Sequence, residues 1–535
     1  MTSITADSKS PPSAMAPFRH RAFTFLWIAT VASNIGTWMH DVGAGWLMTE
    51  LAPSPMLVAM VQAATTLPIF LFALLAGAIA DIVDRRRLLI WVNVAMGIAA
   101  ALMAALVHLQ LMTPWLLLAF SFVFGTGAAF IAPAWQAIVP KLVPKEELSS
   151  AIALNSMGIN ISRAIGPALA GFLIVGAGLA SPFLVNALSV IGIVAALWWW
   201  SSGTTARTLP PEHIGGAIRA GLRYAVYSGP LKATLVRAAA FFVFASAFWA
   251  MLPLIAREVL QGGATFYGIL LTAVGAGAVV GAFLLPVIKK RLGADALVAG
   301  GTIGTAAVLL IMATVNSQVI AVIAAALAGL SWIAVLSSLN VSAQTSLPDW
   351  VRARGLSIFL TVFFGSMSLG SLGWGQVASI WDIPTALIVA ALGALAVIPL
   401  TWRAHLGQGE ALDLTPSMHW PEPVLATDTT PDGPVMIQVT YRVEAADREA
   451  FQALMPALAD SRRQGGGYRW ALMNDAADPE RFVESWWEAS WLDHQRHHVR
   501  VTEDSRKLQE RIAALQKETT EPTVQHFVMP TASDG

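Results

Sequence analysis

Gly77-Ala-Ile-Ala-Asp81-Ile-Val-Asp84-Arg85-Arg86-Arg87 places two carboxylates and three guanidinium groups between two long apolar runs. No Lys or Arg occurs from Ala22 to Asp84, and none from Leu88 to Pro140. Charge is costly in lipid, so this stretch reads as a tight turn between two membrane helices. On both sides of it, apolar runs of about 20 residues can cross a bilayer as helices. Twelve such runs follow along the chain, from 22–49 and 55–80 to 354–379 and 383–402. The 535 residues are 56% hydrophobic and 12% charged, against roughly 25% charged in soluble domains. The expected fold class is an all-α membrane protein of two six-helix halves with a small soluble α+β domain. Pro68, Pro133, Pro167 and Pro253 fall inside the runs and are expected to kink them.

Basic residues set orientation. They gather at alternate connections: Arg19 and Arg21; Arg85 to Arg87; Lys141 and Lys145; Arg207 to Lys232; Lys289 to Arg291; Arg352 and Arg354; Arg403. The intervening connections near 50–54, 110–113, 177–180, 315–317 and 380–383 carry none, and only Arg257 breaks the pattern, beside Glu258. Both termini are therefore expected in the cytoplasm of a bacterial inner membrane. The halves echo one another: Gln136 stands four residues before Pro140, and Gln344 four before Pro348. Internal repeats suit a transporter whose halves rock about a site between them. Lys+Arg and Asp+Glu balance at 33 each, which suggests no nucleic-acid partner, and the absence of cysteine excludes disulfides and thiol chemistry. No P-loop occurs, so ATP is not the expected energy source.

Residues 18 to 405 resemble the major facilitator superfamily of transporters. Gly77, Asp81, Asp84, Arg85, Arg86 and Arg87 are similar to its motif between spans 2 and 3. Asn160-Ile-Ser-Arg163-Ala-Ile-Gly166-Pro167-Ala-Leu-Ala-Gly171 resembles the span 5 motif of its exporters and antiporters. Ala132 to Pro140 and Asp349 to Arg354 resemble the transmembrane secretion effector branch, which holds enterobactin exporter-like proteins. The resemblance implies that Gly77 allows close helix contact and that Asp81 faces the N-terminus of span 11. A carboxylate there gains up to about 1–2 kcal/mol from the helix dipole when partly buried. Arg85 would add ion pairs between the halves, making the turn a conformational latch; the alternative is a charge cluster that only sets topology. Arg163, Gly166, Pro167 and Gly171 are implied to pack on span 8, where Gly275, Gly277 and Gly281 offer a smooth face.

A charge inside a span is a functional candidate. Two readings stand for Arg163: a group facing the cavity, or a structural ion pair. Asp41 lies on one helix face with Asn34 and Trp38. It is either the proton-coupling site, with Arg163 as its complement, or an inert carboxylate near a helix end. Spans 1, 4, 7 and 10 line the cavity in the superfamily, which implies Asn34, Trp38, Gln136, Trp249, Asn340 and Gln344 as substrate candidates. Gln62, Asn93 and Asn186 are expected to bond between helices. Phe241, Phe242, Phe244, Phe248 and Trp249 suit a bulky apolar substrate, with lipid contact the bland reading for at least half of them. Trp198-Trp199-Trp200 reads as an interfacial aromatic belt.

The expected organisation is a disordered tail at 1–17, six-helix halves at 18–203 and 233–405, and an amphipathic connection on the membrane surface at 204–232. A Pro-rich linker at 406–433 and a soluble domain at 434–530 complete it. Val435, Ile437, Val439, Tyr441 and Val443 alternate as a half-buried strand. A helix with the stripe Phe451, Leu454 and Leu458 follows, then strands near 468–474 and 481–488, a helix over 491–515 and a strand near 523–529. That order is ferredoxin-like. Glu484-Ser-Trp to His494 resembles the dimeric barrel domains related to antibiotic-biosynthesis monooxygenases, which implies homodimerisation. His494 and His498 stand four apart, but two ligands alone do not make a metal site, and a solvated face or dimer contact is expected. No metal, cofactor or catalytic residue is expected. The leading function is proton-driven export of small amphipathic molecules, drug-like or siderophore-like, by alternating access. A transporter whose tail modifies or senses cargo, and an importer on the same fold, are the alternatives.

Overall fold

A computed structural model describes residues 15–52, 54–200, 214–407, 411–421, 433–517 and 523–529. Most of the disordered-tail reading, the first part of the connection after 203 and two stretches of the linker lie outside the described residues. Met15 to Pro17 are described: Ala16–Arg19 is a turn of 3₁₀ helix in which Ala16 and Pro17 are buried.

The chain forms two compact units. The first holds α1 (Arg21–Leu51), α2 (Pro55–Ile82), α3 (Arg85–His108), α4 (Pro114–Ile138), α5 (Leu148–Ala177) and α6 (Ser181–Trp199). After α7 (Ile214–Tyr227), it holds most of α8 (Gly229–Leu254), α9 (Ala264–Lys289), α10 (Ala294–Thr314), α11 (Gln318–Thr345), α12 (Arg352–Ile380) and α13 (Ile383–Leu400). Eleven of these helices are long and apolar enough to cross a membrane. Of the twelve expected spans, α1 alone falls short on composition, because Asn34, Thr37, His40 and Asp41 interrupt its apolar run.

Local chemistry marks the helix ends. Proline stands in the first turn of α2, α4, α6 and α13, where its missing N–H costs nothing. Thr113 caps α4 and Asp382 caps α13, the latter accepting from Thr385 N at 2.6 Å. Pro68, Pro133, Pro167 and Pro253 all lie inside helices. Pro253 leads directly into a π turn at Ile255–Val259. In the first half α1 packs on α5 and α6, and α2 on α4; in the second, α10 packs on α13. The α5–α9 contact joins the halves. Asn93 is buried, yet its amide donates to Leu89 O of its own helix at 2.8 Å, not to a neighbour as expected. Trp198 and Trp199 are exposed as an interfacial belt requires, but Trp200 turns inward and is buried.

The second unit gathers α7, the adjoining ends of α8, α11 and α12, and the tail. The tail carries β1 (Val435–Arg442), α14 (Arg448–Gly465), β2 (Tyr468–Asn474), β3 (Arg481–Glu488), α15 (Trp491–Arg500), α16 (Glu503–Ala513) and β4 (Thr523–Val528). The sheet order is β2-β3-β1-β4, fully antiparallel, with Val439 opposite both Glu484 and Val524. This is the expected ferredoxin-like arrangement. Val435, Ile437, Val439 and Tyr441 point inward beside Phe451, Phe482, Trp486 and Trp491. Burying Phe451 and Phe482 stabilises the domain by about 1.5–3 kcal/mol each.

The expected helix over 491–515 is two helices. Val501 is extended, at φ −63 and ψ 128, and Thr502 caps α16 through Ser505 N. The break is held by the stretch read as linker: Ser417 N donates to Val501 O at 2.9 Å, and Pro416 bridges Thr502. The described part of the expected amphipathic connection forms the helix α7. Ala220, Tyr224 and Ala225 of α7 are buried. The Tyr227 carbonyl accepts from Gln464 of α14 at 2.9 Å, and Arg463 lies 5.2 Å above the Tyr227 ring. One face of α7 therefore packs on the soluble domain.

Candidate functional site

Two helices of the first unit, α1 and α5, meet at Trp38. Asn34 and Trp38 of α1 are half-buried, while Asp41, one turn on, is solvent-accessible. Gly166 of α5 seats the Trp38 side chain: a β-carbon on it would lie 2.5 Å from Trp38 Cβ. Arg163, one turn earlier, places its guanidinium 5.5 Å from the Trp38 ring centroid, a cation–π contact. Among the described residues its buried Nε has no hydrogen-bond partner. Trp38 thus occupies the place that the ion-pair reading gave to an acid.

The same glycines seat α9. A β-carbon on Gly268 would come within 2.6 Å of Pro167 O, and one on Gly171 within 3.0 Å of Ala264 O. Gly275 lies against Ala164. Backbone meets backbone along this track, a contact that only small residues permit. On α1, Gly45 faces the Tyr267 hydroxyl of α9, a β-carbon there standing 3.1 Å away.

Further contacts between the halves gather near the connections without basic residues. Arg257, in the π turn, donates to the Thr49 carbonyl and, at 3.1 Å, to Thr49 Oγ1. A cation thereby meets the C-terminal carbonyls of α1, the negative end of that helix. Met56 N donates to Ser379 Oγ at 3.1 Å, and Ala59 packs against Gly375. Arg257, which broke the charge pattern, is thus a tie between halves.

The turn at Gly77–Arg87 looks different. A β-carbon on Gly77 would meet nothing within 4 Å, so the close contact expected there is not formed. The tight contacts between the halves run instead from mid-helix, where Phe70 meets Gly365 and Ala164 meets Gly275, to the opposite ends. Asp81 lies in the last turn of α2. Asp84 caps α3, accepting from Arg87 N at 2.8 Å. Arg86 donates to Leu197 O at 2.6 Å and to Trp198 O, closing the C-terminus of α6 within its own half. Arg85 is half-buried and engaged.

The other cavity candidates are dispersed. Gln136 is exposed near the end of α4. Trp249 stands 5.2 Å from Trp332 of α11, in a cluster with Phe241, Phe242 and Phe363. Phe241, Phe242 and Phe248 are buried, which overturns lipid contact for these rings; α8 is the most enclosed of the spans. Sequence reading missed Trp332 and Phe363, whose signal was an aromatic mid-span in each of two facing helices. It also missed Arg237, buried in α8 and 3.2 Å from Asp295 at the start of α10. Asn340 and Gln344, in the second unit, are exposed and bonded to each other at 3.1 Å.

The sequence model of transmembrane secretion effectors matches residues 12–534. The chain belongs to that family. Among its relatives, the staphyloferrin A transporter of Staphylococcus aureus is 24% identical over 68% of this chain and 91% of its own length. The enterobactin exporter of Shigella boydii is 25% identical over 66% of this chain and 86% of its own. Macrolide efflux protein A of Streptococcus pyogenes is 25% identical, over 33% of this chain and 42% of its own. Solved structures share the fold. A peptide transporter of the POT family superposes at TM-score 0.59 with 12% identity, covering 76% of this chain and 99% of its own. A nucleoside transporter does so at 0.54 with 14% identity, covering 72% and 100%. Relatives and fold neighbours alike are major facilitator transporters, not enzymes, and this secretion effector is a multi-pass membrane protein of that fold.

Its soluble domain holds two buried polar networks. Glu484 accepts from Arg462 at 3.1 Å, Tyr441 at 2.7 Å and Trp470 at 2.9 Å, with Arg462 layered between Trp420 and Trp486. Every partner is satisfied, as a buried ion pair requires. Beside it, Glu488 meets His494 Nδ1 at 3.0 Å and His497 Nδ1 at 2.6 Å, and accepts from Trp486 Nε1 at 2.8 Å. Burial alone would push the Glu488 carboxyl up, but His497 and His494 hold it well below the usual range. His494 is buried, which overturns the solvated-face reading. His498 Nε2 stands 3.1 Å from His494 Nε2, and His526 of β4 completes a group whose ligand atoms lie within 4.8 Å of one another. A groove of about 660 Å³ separates α7 from the domain, lined by Arg219, Arg223, Arg463 and Arg469 among others.

Proposed function

We propose that this secretion effector exports small amphipathic molecules across a bacterial inner membrane by alternating access, driven by proton antiport, with both termini in the cytoplasm. The alternation of basic and basic-free connections supports the orientation. The observation that carries the mechanism is the asymmetry of contact between halves. Arg257 to Thr49, Met56 to Ser379 and the glycine track of α5 and α9 close the basic-free side. Gly77, at the arginine-rich side, meets no close neighbour. This is the pattern of a state open to the cytoplasm, in which Arg257 forms the outer tie; the turn at Gly77–Arg87 is the proposed latch of the opposite state. Asp41, accessible and one turn from Trp38, is the proposed proton site, and Arg163, held over Trp38, is the second charged group proposed to act in coupling. Asn34, Trp38, Gln136, Trp249, Asn340 and Gln344 are the proposed substrate contacts.

Everted vesicles test direction and coupling together. A panel of siderophores and macrolides is expected to accumulate in them under an acid-inside pH gradient, and D41N is expected to abolish that gradient dependence. Accumulation by intact cells instead would reverse the direction, and a D41N variant as gradient-dependent as wild type would remove Asp41 from the mechanism. The reading includes homodimerisation through the soluble domain; light scattering of the detergent-solubilised chain is expected to give a dimer, and a monodisperse monomer would refute it.

A further inference from the structure

We propose that His494, His498 and His526 form a binding site for one divalent transition-metal ion of the zinc type. Imidazole is the common protein ligand for zinc, nickel and copper, and three histidines with a fourth open position are a recurrent zinc arrangement. His494 and His498 are one helical turn apart on α15 and point the same way. His526 reaches the same point from β4, its ring centroid 4.7 Å from that of His494. The ligand atoms of the three lie within 4.8 Å of one another. The 3.1 Å between His494 Nε2 and His498 Nε2 is close to the roughly 3.3 Å that two nitrogens adopt on a tetrahedral ion at about 2.0–2.1 Å.

The surroundings are those of a built site. Glu488 is fully buried and takes His494 Nδ1 at 3.0 Å. This places the proton on Nδ1 and leaves the Nε2 lone pair facing the other two rings, the role a carboxylate plays behind a metal-bound histidine. Glu488 is itself fixed by His497 and Trp486. Trp491 and Trp420 wall the cluster, Trp491 at 5.5 Å from His494 and Trp420 at 4.8 Å from His498. His498 and His526 are only half-buried, so water or a ligand can reach the fourth position. A bound ion would pin the edge strand β4 to α15. None of this depends on the transport reading.

The test uses the full-length chain in detergent, purified without a polyhistidine tag, stripped with chelator and titrated with Zn²⁺ or Co²⁺. One equivalent of zinc per chain is expected, and the visible bands of four-coordinate Co²⁺. H498Q and H526Q are expected to lose the Co²⁺ bands. E488Q, which leaves all three ligands, is expected to weaken zinc binding by about 10–100-fold. H108A, far away in sequence at the end of α3, is expected to bind as wild type. Circular dichroism and size exclusion establish that each variant is folded. No stoichiometric metal on the wild-type chain would overturn the site. So would folded H498Q and H526Q binding as tightly as wild type, in which case the rings form only a hydrogen-bonded ladder.

Discussion

Arg257 shows how one residue can reverse an expectation. In sequence it was an irregularity in the charge pattern; in the fold it ties α8 and its π turn to the end of α1 at Thr49. A cation on a helix C-terminus contributes up to about 2 kcal/mol when partly buried, which is a population shift of roughly 30-fold. R257A is therefore expected to raise the labelling rate of a cysteine placed at Ala59, a residue buried against Gly375. The chain has no native cysteine, so the signal has one source. Unchanged labelling by an impermeant thiol reagent would remove Arg257 as a tie. The residues of the span 5 stretch were legible because close backbone contact demands glycine at fixed places, and Gly166, Pro167 and Gly171 do meet α1 and α9. The partner of Arg163 was not legible. Nothing local distinguishes a cation over Trp38 from one beside Asp41, because both lie on the same face of α1.

At the scale of elements, the soluble domain was read strand by strand, since period-2 alternation marks a half-buried sheet. What escaped were the features held by distant chain. Residues near 416 bond at the helix break beside Thr502, and Trp420 covers Arg462 from a Pro-rich stretch with no periodicity. The histidine cluster is likewise closed by His526, which no spacing rule connects to α15. Its titration makes a prediction. Burial first, then His494 and His497, push the His498 imidazole down from 6.5 to about 4, with Glu488 opposing and His526 adding to the shift. The unfolded chain therefore binds more protons than the native domain between those values. Stability conferred by a neutral His498 is present above pH 6.5 and is lost as pH falls toward 4. Backbone hydrogen exchange in α15 and β4 is expected to accelerate on acidification through this window in metal-free protein, and H498N to flatten the dependence. A flat profile in the unsubstituted chain would contradict the burial of His498.

For the whole molecule, charge alternation carried most of the architecture, because lipid admits few ways to place a guanidinium. The same pattern says nothing about which end of the bundle is closed, because it fixes which connections share a side of the membrane and not how the halves meet. The turn at Gly77–Arg87 is one side of that alternation. Here Arg86 bonds within its own half, and the halves meet from mid-helix to the far ends, along α2–α12, α1–α9 and α5–α9. Cargo was least legible, because the polar and aromatic candidates are scattered over α1, α4, α8 and α11, each in an ordinary apolar context. If the closed basic-free side must open for transport, a reversible cross-link across it stops transport. Cysteines introduced at Met56 and Ser379, whose backbone N and Oγ stand 3.1 Å apart, are joined by a short cleavable thiol reagent. Transport of a siderophore or macrolide cargo is expected to stop on cross-linking and to return on reduction. Full transport by the cross-linked protein would contradict it.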